Sequence, residues 1–387
     1  MEAEGSATVG VAESHGPVLA DLGERLTNHV RKYVPSAEVA LEPTAASFSI
    51  EPPKVEVLAG EDQDLTDLGR QGHGFRRAFV ISALEYLAET VSGDETTERP
   101  TLFLAIEEPE LYQHPPRARH FYRTLATVAS EPSVQVCYAT HSPYFVSADR
   151  FDALRIFRRP PSDGTPAAEV TAAKIDAVTD KLPENAKDPR AYLRRTLSEQ
   201  FREAFFAKAV LLAEGDSDAA MFEAAAKSLG QKSLEADGIV TTNVGGKGCQ
   251  PLALAILGAL RIPAFCVFDA DADATNGDVC PTCGRGKTNR TAAIASNKKL
   301  LSALGAEETE FPETTVSDTW ACFHKEIEDA IPGFRSSVQE VSRELGWSGK
   351  SPEAYAEVIG RMEPSEVPDE LRQILDRVRA LPQPGPK

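Results

Sequence analysis

Acidic residues are concentrated directly after two apolar segments of the sequence. The segment AVLLAEGDSD ends with Glu214 and Asp218, and the segment FCVFDADAD ends with Asp269 and Asp271. Four carboxylates gathered in one place repel one another and raise one another's pKa values, and a hard divalent cation such as Mg²⁺ or Mn²⁺ removes that conflict. The spacing therefore predicts a divalent metal site, provided that the two segments lie side by side.

A parallel α/β sheet is the arrangement that would bring these acids together. From about residue 200 the chain alternates strands (AVLLAEG, GIVTTNVGG, PAFCVFDAD) with helices (SDAAMFEAAAKSLG, CQPLALAILGAL). Ligands of such sheets gather beyond the carboxyl ends of the strands. Gly215 allows a tight turn after Glu214, and the glycine-rich stretch 244–248 around Lys247 makes a loop that a phosphate could approach closely.

A second group of polar residues follows two strands nearer the N terminus. TLFLAIEEPE places Glu107 and Glu108 at the end of one strand, and VQVCYATHSP places His141 at the end of the next. The helix PRARHFYRTLATVA between them predicts a βαβ unit. A strand-end acid can hold Mg²⁺, an adjacent glutamate can activate water, and a histidine one strand away can contact a γ-phosphate. A lone histidine in an apolar strand is more often a core residue, but the EEPE and Ser-Pro context favours the nucleotide role.

Length and composition narrow the class of protein. The 387 residues, 42% of them hydrophobic, are enough for two or three domains with buried cores. No run approaches the roughly 18–20 apolar residues of a membrane span, and the first twenty residues lack the features of a secretory signal. A cytoplasmic protein without a membrane partner is expected. The six cysteines are scattered, which favours reduced thiols over a disulfide framework.

The formal net charge of −18 argues against binding nucleic acid by bulk electrostatics, since such binding needs lysine and arginine to displace counterions from phosphates. Arginine-rich stretches at 155–159, 190–195 and 285–290 are more often solvated faces than phosphate tracks. Acidic residues that bind divalent metals would raise the negative count while assisting phosphate binding.

The motifs of residues 205–275 resemble, in order and spacing, the Toprim domain that topoisomerases, primases and certain nucleases share. That domain has an apolar strand ending in Glu-Gly-x-Ser-Asp, a glycine-rich turn after the next strand, and Asp-x-Asp after a third. The resemblance implies that Glu214 acts near the scissile phosphate, as general base or metal ligand. It implies that Asp269 and Asp271 bind Mg²⁺, with Asp218 as a further ligand. Helix-capping acids on an ordinary α/β domain would explain Asp216 alone, but not the ordered set.

The N-terminal motifs resemble the Walker B, D-loop and H-loop series of ABC-type ATPases such as the SMC and RecF proteins. The stretch GRQGHGFRRAFV, with Gly72 and Gly74, is similar to their signature motif, whose helix N terminus meets a nucleotide on an opposing subunit. The resemblance implies ATPase roles for Glu107, Glu108 and His141 and a homodimer formed through this half. Glu-Glu stands here in place of the usual Asp-Glu. No Gly-x-x-x-x-Gly-Lys-Ser/Thr loop precedes Glu107. On the resemblance, the chain is therefore a fragment, a split subunit or a degenerate ATPase, and ATP binding is expected only if that half is supplied from elsewhere.

An ABC-type head followed directly by Toprim is the arrangement of the OLD (overcoming lysogenisation defect) nucleases, which include the nuclease subunit of Gabija phage defence. The resemblance covers roughly residues 60–350. It implies DNA cleavage with two metal ions, a role in phage defence or DNA repair, and a helicase-like or defence-system partner. It also implies that Glu328, rather than Glu326, completes the site, and that Lys350 is a transition-state cation. Lys350 could equally be a surface lysine.

The segment CPTCGRGK departs from the minimal Toprim pattern. Cys280 and Cys283 form half of a zinc site, and a closed structural site needs four ligands, which Cys322 and His324 could complete. A mobile loop with two free thiols is the alternative.

The predicted fold class is α/β, with a partial ABC-type ATPase lobe followed by a Toprim domain built on a parallel, Rossmann-like sheet. The expected divisions are a flexible arm (1–20), the C-terminal part of an ABC-type ATPase domain (21–160), a linker (161–200), the Toprim domain (201–350) and a C-terminal helical tail (351–387).

Three functions are weighed. The first is a Mg²⁺- or Mn²⁺-dependent DNA endonuclease coupled to the ATPase module. The second is a haloacid-dehalogenase-like phosphatase with Asp269 as nucleophile, but Asp273 stands where that family usually has Thr or Val, and the Glu214 motif would go unexplained. The third is a non-catalytic, DNA-associated regulator.

Overall fold

The structure of the protein is a computed structural model that describes most of the chain from Leu102 onward. The described ranges are 102–158 without Tyr112 and Ser133, 168–182, 186, 188–197, 200–275, 289–347 and 351–382, together with Pro17, Asp21, Leu58, Ala59, Thr66, Asp67, Arg70 and Arg76. Five residues singled out in the sequence lie outside the described residues: Gly72, Gly74, Cys280, Cys283 and Lys350. So does the arm predicted at 1–20, apart from Pro17.

The chain divides into two compact units, 1–79 and 80–387. The described part of the first unit contains one antiparallel pair, β1 (Leu58–Ala59) and β2 (Thr66–Asp67).

The described part of the second unit begins with the predicted βαβ arrangement, which is confirmed. Strands β3 (Leu102–Glu107) and β4 (Val134–Ala139) pair in parallel, with Glu107 opposite Ala139. Helix α1 (Pro115–Val128) connects them and packs Phe121 and Leu125 onto Phe145 beyond β4. A proline in the first turn of α1 suits the helix start, because the first amides of a helix have no intrahelical acceptor.

The interval predicted as a linker, 161–200, differs from the expectation. Its described part contains β6 (Glu169–Thr171), which pairs antiparallel with β5 (Ile156–Arg158), and helix α2 (Pro189–Thr196). Val178 and Leu193 are fully buried in one of the three hydrophobic clusters among the described residues of this unit. The sequence here is polar and rich in alanine and proline, so the few apolar side chains that anchor it give no clear periodic signal.

A five-stranded sheet forms the centre of the second unit, in the order β10-β11-β9-β7-β8. The strands are β7 (Ala209–Ala213), β8 (Ile239–Asn243), β9 (Ala264–Asp269), β10 (Thr315–Val316) and β11 (Trp320–Phe323). All neighbours are parallel except β10 and β11. Every residue of β7 is buried, as a central parallel strand requires.

Helices cover both faces of this sheet. They are α3 (Asp216–Ser228), α4 (Gln250–Ala259), α5 (Arg290–Ala303), α6 (Phe334–Leu345), α7 (Pro352–Gly360) and α8 (Asp369–Arg379). Alternate residues of β7 supply opposite faces: Leu211 packs with α3, α6, α7 and α8, whereas Leu212 packs with α4, α5 and α2.

The C-terminal segment 351–387, expected as a polar tail, is part of the core as far as it is described. Val358 and Ile359 of α7 and Ile374 of α8 are buried against α3 and the sheet. Helix α8 is strongly amphipathic in sequence, and the apolar face is the one that the sheet covers. Within the described residues, every helix is too short or too polar to cross a lipid bilayer.

Candidate functional site

The two acidic segments meet at the carboxyl edge of the five-stranded sheet. Strands β7 and β9 are neighbours, so Glu214, which follows β7, lies beside Asp269, the last residue of β9. The backbone amide of Asp269 donates a hydrogen bond to Oε2 of Glu214 at 3.2 Å. The two strand ends are therefore adjacent, which is what the predicted shared site requires.

Asp218 lies in the first turn of α3 and is buried. Its Oδ2 accepts a hydrogen bond from the amide of Gly215, the residue before the helix, at 2.9 Å. Asp218 therefore acts as a helix cap and also faces the acidic group. The positive end of the helix dipole favours a carboxylate at this position.

A third element brings Glu328 to the same edge. Oδ1 of Asp269 accepts a hydrogen bond from the amide of Ile327 at 3.0 Å, which fixes the turn that carries Glu328. Glu328 is only 3% exposed, and its Oε1 accepts a hydrogen bond from the Tyr355 hydroxyl at 2.6 Å. Glu326 instead pairs with Arg335 at 2.6 Å. Of the two glutamates, Glu328 is the one placed with the acidic group, and Tyr355 is a site residue that the sequence motifs did not reveal.

The pKa of Asp269 is raised well above its ordinary value of 3.8. Burial is the largest cause, followed by the charges of Glu214, Asp218, Glu328 and Asp271. The four other carboxyl groups therefore all act electrostatically on Asp269.

Lys247 enters this acidic group and was given no role by the sequence motifs. Its Nζ donates hydrogen bonds to Oδ2 of Asp271 at 2.7 Å and to the carbonyl oxygen of Asp269 at 2.5 Å, and its side chain is 4% exposed. Gly245 and Gly246 have φ angles of 77° and 110°, which glycine adopts readily. The only sequence signal for this lysine is its position between glycines.

The chemistry of the donor set fits a hard divalent cation, because the group offers carboxylate oxygens and no sulfur or imidazole ligand. In the part of the chain that is described, no three His, Cys, Asp or Glu side chains are arranged so that they could hold an ion between them. In this arrangement Glu214, Asp218, Asp269 and Glu328 each direct an oxygen to a protein donor, and Asp271 directs one to Lys247.

The zinc prediction remains a prediction. Cys322 is buried in β11 within the hydrophobic cluster that also contains Val178 and Leu193, and burial raises the pKa of its thiol. Nδ1 of His324 lies 3.0 Å from the carbonyl oxygen of Pro312. Cys280 and Cys283 lie outside the described residues. The four cysteines that are described, including Cys322, are free thiols, as the sequence predicted.

The second predicted group lies at the carboxyl ends of β3 and β4. Glu107 ends β3 opposite Ala139, and the amide of Glu108, at φ 43°, donates to the Ala139 carbonyl oxygen at 2.8 Å. Glu110, which the sequence motifs gave no role, accepts hydrogen bonds from the His141 amide at 2.8 Å and from Thr140 Oγ1 at 2.7 Å. Glu110 therefore fixes the backbone that carries His141, while the side chains of Glu107 and His141 are exposed.

Two protein families match separate parts of the chain. A family described as AAA ATPase domain matches residues 18–146. A family described as overcoming lysogenization defect protein-like, TOPRIM domain, matches residues 205–271. The predicted order of an ATPase domain before a Toprim domain, and the α/β fold class, are confirmed. A TOPRIM domain of this kind implies, in general terms, dependence on a divalent metal.

Two curated relatives are named as OLD nucleases. The chain is 26% identical over 331 residues to the OLD nuclease of Thermus scotoductus, a match that covers 84% of this chain and 56% of that protein. It is 28% identical over 208 residues to the Old nuclease of Escherichia phage P2, covering 54% of this chain and 34% of that protein. The matched region thus spans about half of the first relative and about a third of the second.

Among solved structures, the C-terminal region of the Xanthomonas campestris pv. campestris OLD protein is similar at 18% identity. That match covers 46% of this chain and 95% of the solved one, with a TM-score of 0.32.

Proposed function

We propose that this chain, an OLD nuclease homologue that joins an ATPase domain to an OLD-like TOPRIM domain, is a metal-dependent DNA endonuclease whose cleavage site is the acidic group at the edge of its five-stranded sheet. One observation carries the proposal: Glu214 and Asp269, from separate parts of the TOPRIM match, lie within a hydrogen bond of each other at the carboxyl ends of adjacent parallel strands. That edge is where α/β sheets bind their ligands.

The proposed roles follow from the position of each side chain. Asp218, Asp269 and Asp271 hold the ions, which are Mg²⁺ or Mn²⁺, and Glu214 accepts a proton from the attacking water or binds an ion. Glu328 completes the group and is held by the Tyr355 hydroxyl. A pair of bound ions supplies stabilisation of the attacking and leaving oxygens of an in-line displacement. Lys350 is proposed as a transition-state cation on the family resemblance alone.

DNA is the proposed substrate because the curated relatives are named as nucleases. A chain of net charge −18 attracts a polyanion weakly through its surface as a whole, so phosphate recognition has to be concentrated at bound cations.

The ATPase part is proposed to control the nuclease. Glu107, Glu108 and His141 would act on a nucleotide whose phosphates are held by a P-loop supplied from elsewhere, with Gly72 and Gly74 in the signature motif. Homodimer formation through this half, a helicase-like or defence-system partner, a place in phage defence or DNA repair, and a cytoplasmic location belong to the same proposal.

Plasmid nicking tests the nuclease. The chain is incubated with supercoiled plasmid in Mg²⁺ or Mn²⁺, and relaxed and linear products are measured on a gel. We expect nicking by the wild type, none in EDTA, and a loss of at least about 100-fold in Glu214→Gln and Asp269→Asn, the usual scale for removing a group that acts in the transition state.

A matched pair of neighbouring glutamates provides the control. Glu328→Gln should reduce nicking strongly. Glu326→Gln should leave nicking near the wild-type level, because the wild-type Glu326 carboxylate pairs with Arg335. Nicking that survives in Glu214→Gln and Asp269→Asn would contradict the proposal. Phosphate release from a small ester without nicking would favour the phosphatase, and neither activity would favour the regulator.

A further inference from the structure

Lys247 is a buried lysine whose hydrogen bonds both go to the aspartate segment. Its side chain is 4% exposed, and Nζ donates to Oδ2 of Asp271 at 2.7 Å and to the Asp269 carbonyl oxygen at 2.5 Å. The ammonium is directed inward, onto the two residues that the proposed metal centre uses.

The backbone before Lys247 is shaped for this insertion. Gly245 and Gly246 have φ angles of 77° and 110°, and a Cβ added at either would meet nothing within 4 Å. These glycines are therefore required by the backbone conformation and not by a lack of space. The two left-handed residues turn the chain after β8 so that the next side chain enters the acidic group.

The partner of Lys247 is also in an unusual conformation. Asp271 has a φ of 52°, which residues other than glycine rarely adopt. Lys247 donates one hydrogen bond to the Asp269 carbonyl oxygen and one to the Asp271 carboxylate. These bonds join residues that are 22 and 24 positions apart in the sequence, so they connect the loop after β8 to the end of β9 and the loop that follows it.

We propose that Lys247 is a positioning residue of the metal centre: a built-in cation that holds Asp271 and balances the acidic group until a divalent ion binds. This inference rests on the proposed function in one respect, which is that the acidic group is taken to be the metal centre. Because its ammonium and an incoming ion would share the Asp271 carboxylate, Lys247 lowers the affinity for the ion while it stabilises the metal-free protein.

Three variants and two measurements test this. Lys247→Met removes the charge and keeps the length, Lys247→Arg keeps the charge, and Lys298→Met removes an exposed lysine whose Nζ lies 3.5 Å from Glu310. The melting temperature is measured in EDTA, and the Mn²⁺ affinity is measured by isothermal titration calorimetry, both without DNA.

In EDTA, Lys247→Met should melt several degrees below the wild type, because the carboxylates lose their neighbouring cation. In the titration it should bind Mn²⁺ severalfold more tightly, because nothing competes for Asp271. Lys247→Arg should stay closer to the wild type in both measurements, and Lys298→Met should match the wild type. If Lys247→Met is unfolded in EDTA, recovery of its helical circular dichroism on adding Mn²⁺ supports the proposal. If it does not recover, Lys247→Gln decides by the same two measurements.

Equal or weaker Mn²⁺ binding by Lys247→Met, or an unchanged melting temperature in EDTA, would overturn the inference. A wild type that binds no Mn²⁺ would also contradict the proposed competition between Lys247 and the ion for Asp271. The two proposals can fail separately. If the wild type binds Mn²⁺ but does not nick DNA, only the nuclease proposal is contradicted. If the wild type nicks DNA but Lys247→Met has an unchanged melting temperature and Mn²⁺ affinity, only this inference is contradicted.

Discussion

The negative charges of the site act together on Asp269. Its pKa is raised by burial and by the neighbouring carboxylates Glu214, Asp218, Glu328 and Asp271. A raised folded-state pKa means that protonated Asp269 contributes stability, which is present in full below the ordinary value of 3.8 and is lost as the pH rises through the folded-state pKa. At a pH above this folded-state pKa and without metal, an ionised Asp269 therefore opposes folding.

Replacing Asp269 with a neutral isostere should stabilise the metal-free protein while abolishing activity. In EDTA at pH 7, Asp269→Asn should raise the melting temperature, because its amide oxygen can still accept from the Ile327 amide without carrying charge. The gain should shrink as the pH falls, since wild-type Asp269 then becomes protonated. Circular dichroism melts over a pH series measure this, with the exposed Asp273→Asn as control. A lower melting temperature for Asp269→Asn at pH 7 would contradict the electrostatic account.

At the scale of residues, the sequence predicted which acidic residues lie at strand ends. It did not predict the residues from other loops and helices that contact them. The meeting of Glu214 with Asp269 was predictable because parallel strands bring their carboxyl ends to one edge. Lys247, Tyr355 and Glu110 were not predicted. Their partners lie 22 to 31 residues away along the chain, and those contacts depend on loop conformations that no hydrophobic pattern encodes.

At the scale of elements, the loop after β8 depends on two left-handed glycines. Gly246→Ala should lower the free energy of unfolding by about 1–3 kcal/mol, because alanine is strained at a φ of 110°. Gly248→Ala is the matched control: it lies two residues away, has no positive φ and has open space around it, so it should be nearly neutral. Urea denaturation of both variants is the measurement. Equal effects would show that the left-handed backbone is not what this loop requires.

Helix α2 illustrates how few apolar contacts can fix a polar segment. Leu193 is fully buried, and on the same helix Arg190 pairs with Asp152 at 2.7 Å and Arg194 pairs with Asp149 at 2.8 Å. The sequence of this interval suggested a linker because its composition is polar and its helix is only eight residues long. Periodicity needs a longer window than such a helix provides.

The packing of α2 can be tested with one truncation. Leu193→Ala should lower the free energy of unfolding by about 2–5 kcal/mol, the range for a leucine removed from a packed core. Leu345→Ala makes the same change at a leucine that is 40% exposed, and should have a much smaller effect. If the two variants unfold at the same urea concentration, the segment 189–196 is not anchored in solution.

At the scale of the whole molecule, the hydrophobic pattern predicts the fold class, whereas the net charge affects how the protein interacts with a polyanion. The parallel α/β class was predictable because short apolar strands alternate with helices along the chain. The order of the five strands was not, since β10 and β11 are two and four residues long and gave no separate strand signal. The net charge of −18 carries no information on the fold but bears directly on how the molecule meets a polyanion.

DNA binding should therefore depend on divalent ions more than on the protein surface. In a gel-shift experiment we expect little retention of a short duplex in EDTA and clear retention in Ca²⁺, a hard cation that shares the preference of Mg²⁺ for oxygen ligands. Monovalent salt at the same ionic strength should not substitute for Ca²⁺, which provides the control. Tight binding in EDTA would show that a local basic surface outweighs the overall charge.

The five-stranded sheet ends on one side in β10, a two-residue strand that runs against its neighbour. An edge this short offers an arriving strand almost no row of amide and carbonyl groups to pair with. Aggregation by extension of the sheet is therefore disfavoured on that side.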